Sequence, residues 1–394
     1  MPRFRGKTRI PGEEFFRPRA MAEERGRGIM SDRQSEPRRS DLRSGWTTGA
    51  CAAAAATSAY AALFGDGFLD PVEIVLPRGE TPSFAISTRR RDGRSATAGV
   101  IKDGGDDPDV THGAEILATV TRGEEGEGFV FRGGEGVGTV TRPGIPVPVG
   151  DPAINPGPRR IIAANLLRIA DAVGGPPDVK VTISIPAGRR LAESTLNPRL
   201  GILGGLSVLG TTGVVVPYSC GAFIQTVQRA VQVAAAGGET HIAASTGYAS
   251  ERAVQRLYAL PEIALIDMGD FAGGLLRYLR AHPVPRLTLA GGFAKFLKLA
   301  QGNLDLHSAR SRVDFTALAA LAAGIGAPAG LVAGARAANT AMEVLDAAQA
   351  AGLPLADAVA ARCLETARAI LRPETVPDVV IVDRSGRIVG HAGP

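Results

Sequence analysis

The chain has 394 residues, 45% of them hydrophobic and 5% aromatic, a balance that suits a globular protein of two or three domains. Its net charge of +5 is local: residues 1–40 hold 11 Lys+Arg against 6 Asp+Glu, and residues 41–394 hold 33 of each. A neutral body excludes a general basic surface for nucleic acid, and no apolar run is long enough to cross a bilayer.

Residues 1–40 are rich in Arg, Glu, Gly and Pro and lack an apolar core pattern. They read as a disordered, dispensable basic tail, with Met30 a candidate start. Cys51, Cys220 and Cys363 show neither metal-ligand nor disulfide-framework spacing, so reduced thiols in a cytoplasmic protein are expected. The next stretch, RSGWTTGACAAAAATSAY, predicts a helix from Ala50 to about Ala62, because alanine is the best helix former. Such a thin helix lets another backbone or a flat ligand come close. Thr47, Thr48 and Gly49 stand where the first N–H groups lack partners, so the start either attracts an anion or is a Thr-capped end buried against a sheet.

From Pro71 to about Val140 the segments VEIVL, SFAIST, ATAGVI and AEILATV predict strands, with a glycine-rich hairpin near GEGVGTV. Between them KDGGDDPDVTHG (Lys102–Gly113) packs Asp103, Asp106, Asp107, Asp109 and His112 into ten residues. That density suits a divalent cation, a general acid/base pair, or an Asx-turn loop bent at Pro108. A helix over Ile161–Val173 and the strand VKVTISIP complete an α+β domain, mostly β in its core, over residues 41–195.

NPRLGILGGLSVLGTTGVVVP (Asn197–Pro217) follows, and its Gly210-Thr211-Thr212-Gly213 turn offers backbone N–H groups to a nucleotide-like ligand. It lacks the G-x-G-x-x-G spacing, and no P-loop motif occurs anywhere. Beyond it strands and helices alternate: Ser219–Ala236, HIAAST, a helix from about Ala249, EIALIDM, a helix from Phe271, RLTLA, and a helix at Phe293. This grammar predicts a Rossmann-like α/β domain over residues 196–394, with a parallel sheet, an Ala-rich helical C-terminal part and a closing hairpin at Ser385-Gly386. Ligands are expected at the carboxyl ends of its strands. Three turns stand there: Ser245-Thr246-Gly247, Asp267 to Asp270 with Gly269, and Gly291-Gly292. Lys295 and Lys298 then share a helix face, and His307, Arg310 and Arg312 follow. The five could clamp a polycarboxylate or form a solvated basic face. No Ser/His/Asp or catalytic Cys/His arrangement is visible.

Taken in order, LRSGWTTGACAAAAA, KDGGDDPDVTHG, GVGTVTRPGIPVPVGDPAINPGPR, NPRLGILGGLSVLGTTG and GGFAKFLKLAQGNLDLHS resemble the cobalt-precorrin-5B (C1)-methyltransferases of corrin biosynthesis, the CbiD family. The likeness spans residues 41 to 390. It departs at Val216, where the family pattern has an acidic residue, and the tail has no counterpart. The resemblance implies methyl transfer from S-adenosylmethionine to C1 of cobalt-precorrin-5B, an anionic tetrapyrrole, to give cobalt-precorrin-6A and S-adenosylhomocysteine. It implies no protein-bound metal and no nucleic-acid or membrane partner, and it leaves a homo-oligomer open. For such a donor the strand-end rule for open α/β sheets, with no matched fingerprint, points to Gly210, Thr211, Thr212, Gly213, Ser245, Thr246, Gly247, Asp267, Gly269, Gly291 and Gly292, with Asp267 on the ribose hydroxyls. The substrate is expected at Thr47, Thr48, Lys295, Lys298, Arg310 and Arg312. Asp103, Asp107, His112 and His307 are the candidates for a base or charge stabiliser. Two other classes fit the residues: a phosphate-handling enzyme using the TTGACAAAAA helix start and the DDPD metal site, and a non-catalytic tetrapyrrole or nucleotide carrier.

Overall fold

The alanine helix spans Thr48–Phe64, and every residue from Thr48 to Leu63 is buried. In this computed structural model, which describes residues 42–394, it is the middle of three layers. The expected tail, residues 1–40, lies outside the described residues. On one side of the helix lies a five-stranded sheet in the order Thr88–Arg91, Ser95–Ile101, Glu115–Arg122, Val179–Ser184, Phe129–Gly133. Its pairs are antiparallel except the last, Phe129–Gly133 with Val179–Ser184. The strands alternate as half-buried strands do, with Ala96, Ala98, Ile116, Ala118 and Val120 inside. On the other side lies the helix Pro156–Val173, which buries Ile161, Ile162, Leu166 and Ala170 at helical spacing. Because the middle helix ends at Cβ over most of its length, the outer layers supply the large side chains and come close to its axis.

Two expectations for this half need correction. GEGVGTV forms no hairpin: Phe129–Gly133 runs parallel to Val179–Ser184, and Thr139–Val140 pairs with Ile202–Leu203. The strand that follows GTTG, expected to be buried, is not. Val214–Val215 is only half-buried and pairs antiparallel with Gly45–Trp46, while Leu206 and Val208 join the core of the first half.

The second sheet has the order Leu265–Asp267, His241–Ser245, Arg286–Gly292, Val376–Val382, Ile388–Ala392. The first four strands are parallel, and the last closes an antiparallel hairpin at Ser385-Gly386. Both faces are covered, so the strands are nearly continuously apolar. Alternate residues divide between the faces. Ile242, Ala244, Ile266, Leu287, Leu289, Val379 and Ile381 meet one core, which includes the helices Cys220–Ala236, Ala272–Ala281 and Leu355–Ile370. Ala243, Leu265, Ala290, Val380 and Val382 meet the other, under Tyr248–Tyr258. The whole is a mixed α/β protein. No helix among the described residues is long and apolar enough to cross a membrane.

The layering sets a steric test. Ala54 is fully buried in the middle helix, whereas Ala347 is exposed on the helix Ala341–Ala350. Ala54→Leu should lower unfolding stability by about 1–3 kcal/mol through overpacking, and Ala347→Leu should leave the urea midpoint within error.

Candidate active site

Ser245 stands opposite Asp267 on one side and Ala290 on the other, so three parallel strands end at one level. Above them opens a cavity of about 260 Å³, lined by Leu196, Arg199, Ser245, Gly247, Tyr248, Glu251 and Asp267. The Ser245 hydroxyl is buried there with no hydrogen-bond partner in the protein. An unpaired buried hydroxyl is costly unless something else satisfies it. Gly247 and Gly292 begin the helices Tyr248–Tyr258 and Phe293–Ala300 without a side-chain cap, and a Cβ at either would point into open space. Gly291 is different: a Cβ there would run into the Phe296 ring, so its smallness serves packing. Gly269 has a left-handed φ of 51° and packs near the Phe223 ring, which makes it a turn residue.

Asp267 opens into the cavity, and its Oδ1 accepts the Gly269 N–H at 3.1 Å. Although the residue is exposed at the cavity mouth, partial desolvation raises its carboxyl above the usual value and the Glu251 charge adds to the rise, against the Gly269 N–H, Arg199 and Lys295. Lys295 reaches this level too, with Nζ 2.9 Å from Asp270 and 3.3 Å from the Thr246 carbonyl. Arg199 grips Glu251 with two parallel bonds of 2.9 and 2.7 Å, and Glu251 is only 6% exposed. Arg199 and Glu251 line this cavity too, and sequence reasoning singled out neither. Arg199 lies within the NPRLG stretch, which was read for its glycines.

GTTG is not part of this cavity. It closes the start of the alanine helix: Gly49 N–H donates to the Leu209 carbonyl at 3.1 Å and Thr47 N–H to the Gly213 carbonyl at 2.9 Å. A Cβ at Gly210 would overlap the Thr47 side chain, and one at Gly213 would overlap Leu76. Thr211 is exposed, and the Thr212 hydroxyl bonds locally to Val214. Thr47 and Thr48 are buried beneath this cover, and the Thr47 hydroxyl accepts the Ala50 N–H at 3.2 Å as the helix cap. Of the two readings left open by the sequence, the structure has the Thr-capped, buried one, with protein groups over the helix start.

The aspartate loop works as a brace. Asp103 holds the Arg43 guanidinium and accepts the Gly105 N–H, and the Arg43 hydrogen bond holds its carboxyl down to about 2. Asp106 exchanges bonds with the Arg43 backbone, accepting its N–H at 2.6 Å. Asp109 pairs at 2.5 Å with Lys102, whose side chain is 1% exposed. Burial works to raise the Asp109 carboxyl, but Lys102 and Thr111 outweigh it and hold it below the usual range. Asp107 accepts the N–H of Tyr218 at 2.9 Å, where Tyr218 has a left-handed φ of 53°. His112 Nδ1 accepts the Gly104 N–H at 3.1 Å, 3.7 Å from Asp103. Among the described residues, no three His, Cys, Asp or Glu side chains are grouped to hold a metal ion.

The basic group divides. Lys298 is buried, and its Nζ donates to the Leu306 carbonyl at 2.9 Å, so it fastens a loop instead of facing a ligand. His307, Arg310 and Arg312 are exposed. His307 Nδ1 accepts the Ala309 N–H at 3.2 Å, and Arg310 meets Asp305, the Phe271 ring and the Cys220 sulfur, the last at 3.4 Å. Asp107 thus meets Tyr218, and Arg310 meets Cys220 two residues on. The aspartate loop and the His307–Arg312 loop converge on the start of the helix Cys220–Ala236. Cys51 and Cys363 are buried, and burial pushes both thiols up, Cys51 to about 12.

Two family models match separate segments of the chain. The CbiD family model matches residues 35–217, and the CbiD C-terminal domain model matches residues 305–393. A cobalt-precorrin-5B C(1)-methyltransferase from Paramagnetospirillum magneticum is 55% identical over 364 residues, covering 92% of this chain and 100% of that protein. One of the same name from Rhodospirillum rubrum is 56% identical over 353 residues, covering 89% and 98%. A solved structure of a cobalamin biosynthesis protein (cbiD) from Archaeoglobus fulgidus is 28% identical, covering 68% of this chain and 83% of that one. Its TM-score of 0.38 is too low to argue geometry from. On these matches the chain belongs to the CbiD family.

Proposed function

We propose that the protein transfers the methyl group of S-adenosylmethionine to C1 of cobalt-precorrin-5B, giving cobalt-precorrin-6A in cobalamin biosynthesis. Support comes from relatives of that name along about nine-tenths of the chain. We place the donor in the strand-end cavity, and the observation that carries this is the buried Ser245 hydroxyl without a protein partner. Read as Rossmann-like, the second sheet takes ligands at the carboxyl ends of its strands, where the cavity opens beside Ser245 and Asp267. Gly247 leaves room for a ligand backbone, and Asp267 is placed to accept from ribose hydroxyls. The lobes of this reading divide after residue 217, because residues 202–215 pair with the first half.

In the reaction the C1–methyl bond forms as the sulfur–methyl bond breaks, and sulfur keeps the electron pair. A sulfonium is already a good leaving group, so the residues mainly align donor and acceptor, where positioning supplies several kcal/mol. We place the carboxylate-rimmed macrocycle at the corner formed by Tyr218, Cys220 and Arg310. His112 and His307 each accept a backbone N–H at Nδ1, so in the neutral ring the proton sits on Nε2 and each donates outward. They serve as hydrogen-bond donors to substrate oxygen. Asp103, held ionised by Arg43, is a poor base. The phosphate-handling reading loses its supports, since the helix start is filled and the aspartates bind protein groups.

The direct test is transfer of labelled methyl from S-adenosylmethionine to cobalt-precorrin-5B. A carrier would bind without turnover, and a phosphotransferase would need ATP and magnesium. Ser245→Ala should weaken S-adenosylhomocysteine binding about three- to tenfold by calorimetry without lowering Tm, because the hydroxyl bonds nothing in the protein. Unaltered affinity would remove the donor from this cavity. Arg310→Ala and Arg312→Ala should each raise substrate KM several-fold with little change in kcat. Lys298→Ala should instead cost about 1–3 kcal/mol of stability, since it leaves the Leu306 carbonyl unpaired. Asp107→Asn keeps an acceptor for the Tyr218 N–H and should stay within about twofold of native kcat, while Asp107→Ala should fall roughly tenfold.

A further inference from the structure

We infer that the unpaired carboxylate of Asp267 makes the strand-end cavity select a cationic ligand over its neutral counterpart. The sulfonium donor is then held more tightly than the thioether left after transfer. This rests on the reading that the donor occupies that cavity.

The charges around the cavity carry the argument. Glu251 is neutralised by the two bonds from Arg199, whose Nε also lies 3.4 Å from the exposed Glu262. Asp270 is neutralised by Lys295 at 2.9 Å. Asp267 has only the Gly269 N–H, and no cation among the described residues is ion-paired with it. Four acids therefore face two bases, and the acid that lines the cavity without a partner is Asp267. A partly enclosed carboxylate in this position gains most from a positive ligand. Beside it the Ser245 hydroxyl, 1% exposed, also lacks a partner, so two polar groups of one cavity wait on the same occupant.

The reaction changes the charge of that occupant by one unit. S-adenosylmethionine carries a carboxylate, an ammonium and a sulfonium, a net of +1. When the methyl leaves for C1, the sulfur retains the bonding pair, and S-adenosylhomocysteine is net neutral. Attraction to Asp267 present before transfer is weakened after it, and release of the spent donor becomes easier. A carboxylate that only accepted from ribose hydroxyls would treat the two molecules alike, because both carry the same ribose.

Calorimetry with S-adenosylmethionine and S-adenosylhomocysteine, on the native protein and on Asp267→Asn, separates these roles. The native protein should bind the sulfonium the more tightly. Asp267→Asn should lose about tenfold or more for S-adenosylmethionine and less than about threefold for S-adenosylhomocysteine, with an unchanged Tm. Asp267→Ser serves as a second variant should the first not fold. Equal losses for both ligands would overturn charge selection while leaving the donor in the cavity. No loss for either would overturn it as well. In that event unaltered binding by Ser245→Ala would show that the donor site itself was misplaced, and a retained Ser245→Ala effect would show that only the role of Asp267 was.

Discussion

The spacing of the first half follows from a helix whose side chains mostly stop at Cβ while its whole surface is covered. A sheet and a second helix both come close to its axis, and neither leaves room for a larger residue between them. Its start is equally crowded. Leu209 and Gly213 supply carbonyls to Gly49 and Thr47, so the chain from 209 to 213 lies directly over the helix end. That chain continues into the strand pairing with Gly45–Trp46 and then to Tyr218. The position from which the second half begins is thereby tied to the alanine helix.

The aspartate loop completes this anchoring. Four carboxylates close in sequence would repel one another, and here each is given its own donor: Arg43 side chain, Arg43 backbone, Tyr218 backbone and Lys102. The buried Lys102–Asp109 pair is a demanding part, since an ammonium 1% exposed needs its counter-charge in place. Removing Asp109 leaves the Lys102 ammonium buried without its counter-charge, so the pair makes the loop conformation specific more than it makes it stable. The loop's outward product is the angle of the backbone at Tyr218.

Much of the second half was legible because its signals are local. Alternating strands and helices, the helix from about Ser219 and the Ser385-Gly386 turn all reside in a few consecutive residues, and they appear where the sequence placed them. The turns at Ser245 and Asp267 were legible for the same reason. GTTG misled because glycine serves close approach of any backbone, and nothing local tells a ligand from the protein's own Thr47. Lys298 misled because a three-residue spacing gives the helix face but not whether that face points at solvent or at the Leu306 loop. Arg199 and Glu251 were invisible because their pairing crosses 52 positions of sequence.

The three-layer packing also bears on how this family is compared across species. At the alanine positions of this helix, steric fit alone restricts replacements to residues about the size of alanine, glycine, serine or cysteine, as the buried Cys51 among them illustrates. A homologue that keeps these layers must keep small residues there whether or not it keeps the chemistry. The run of alanines is therefore a fingerprint of architecture and not of chemistry.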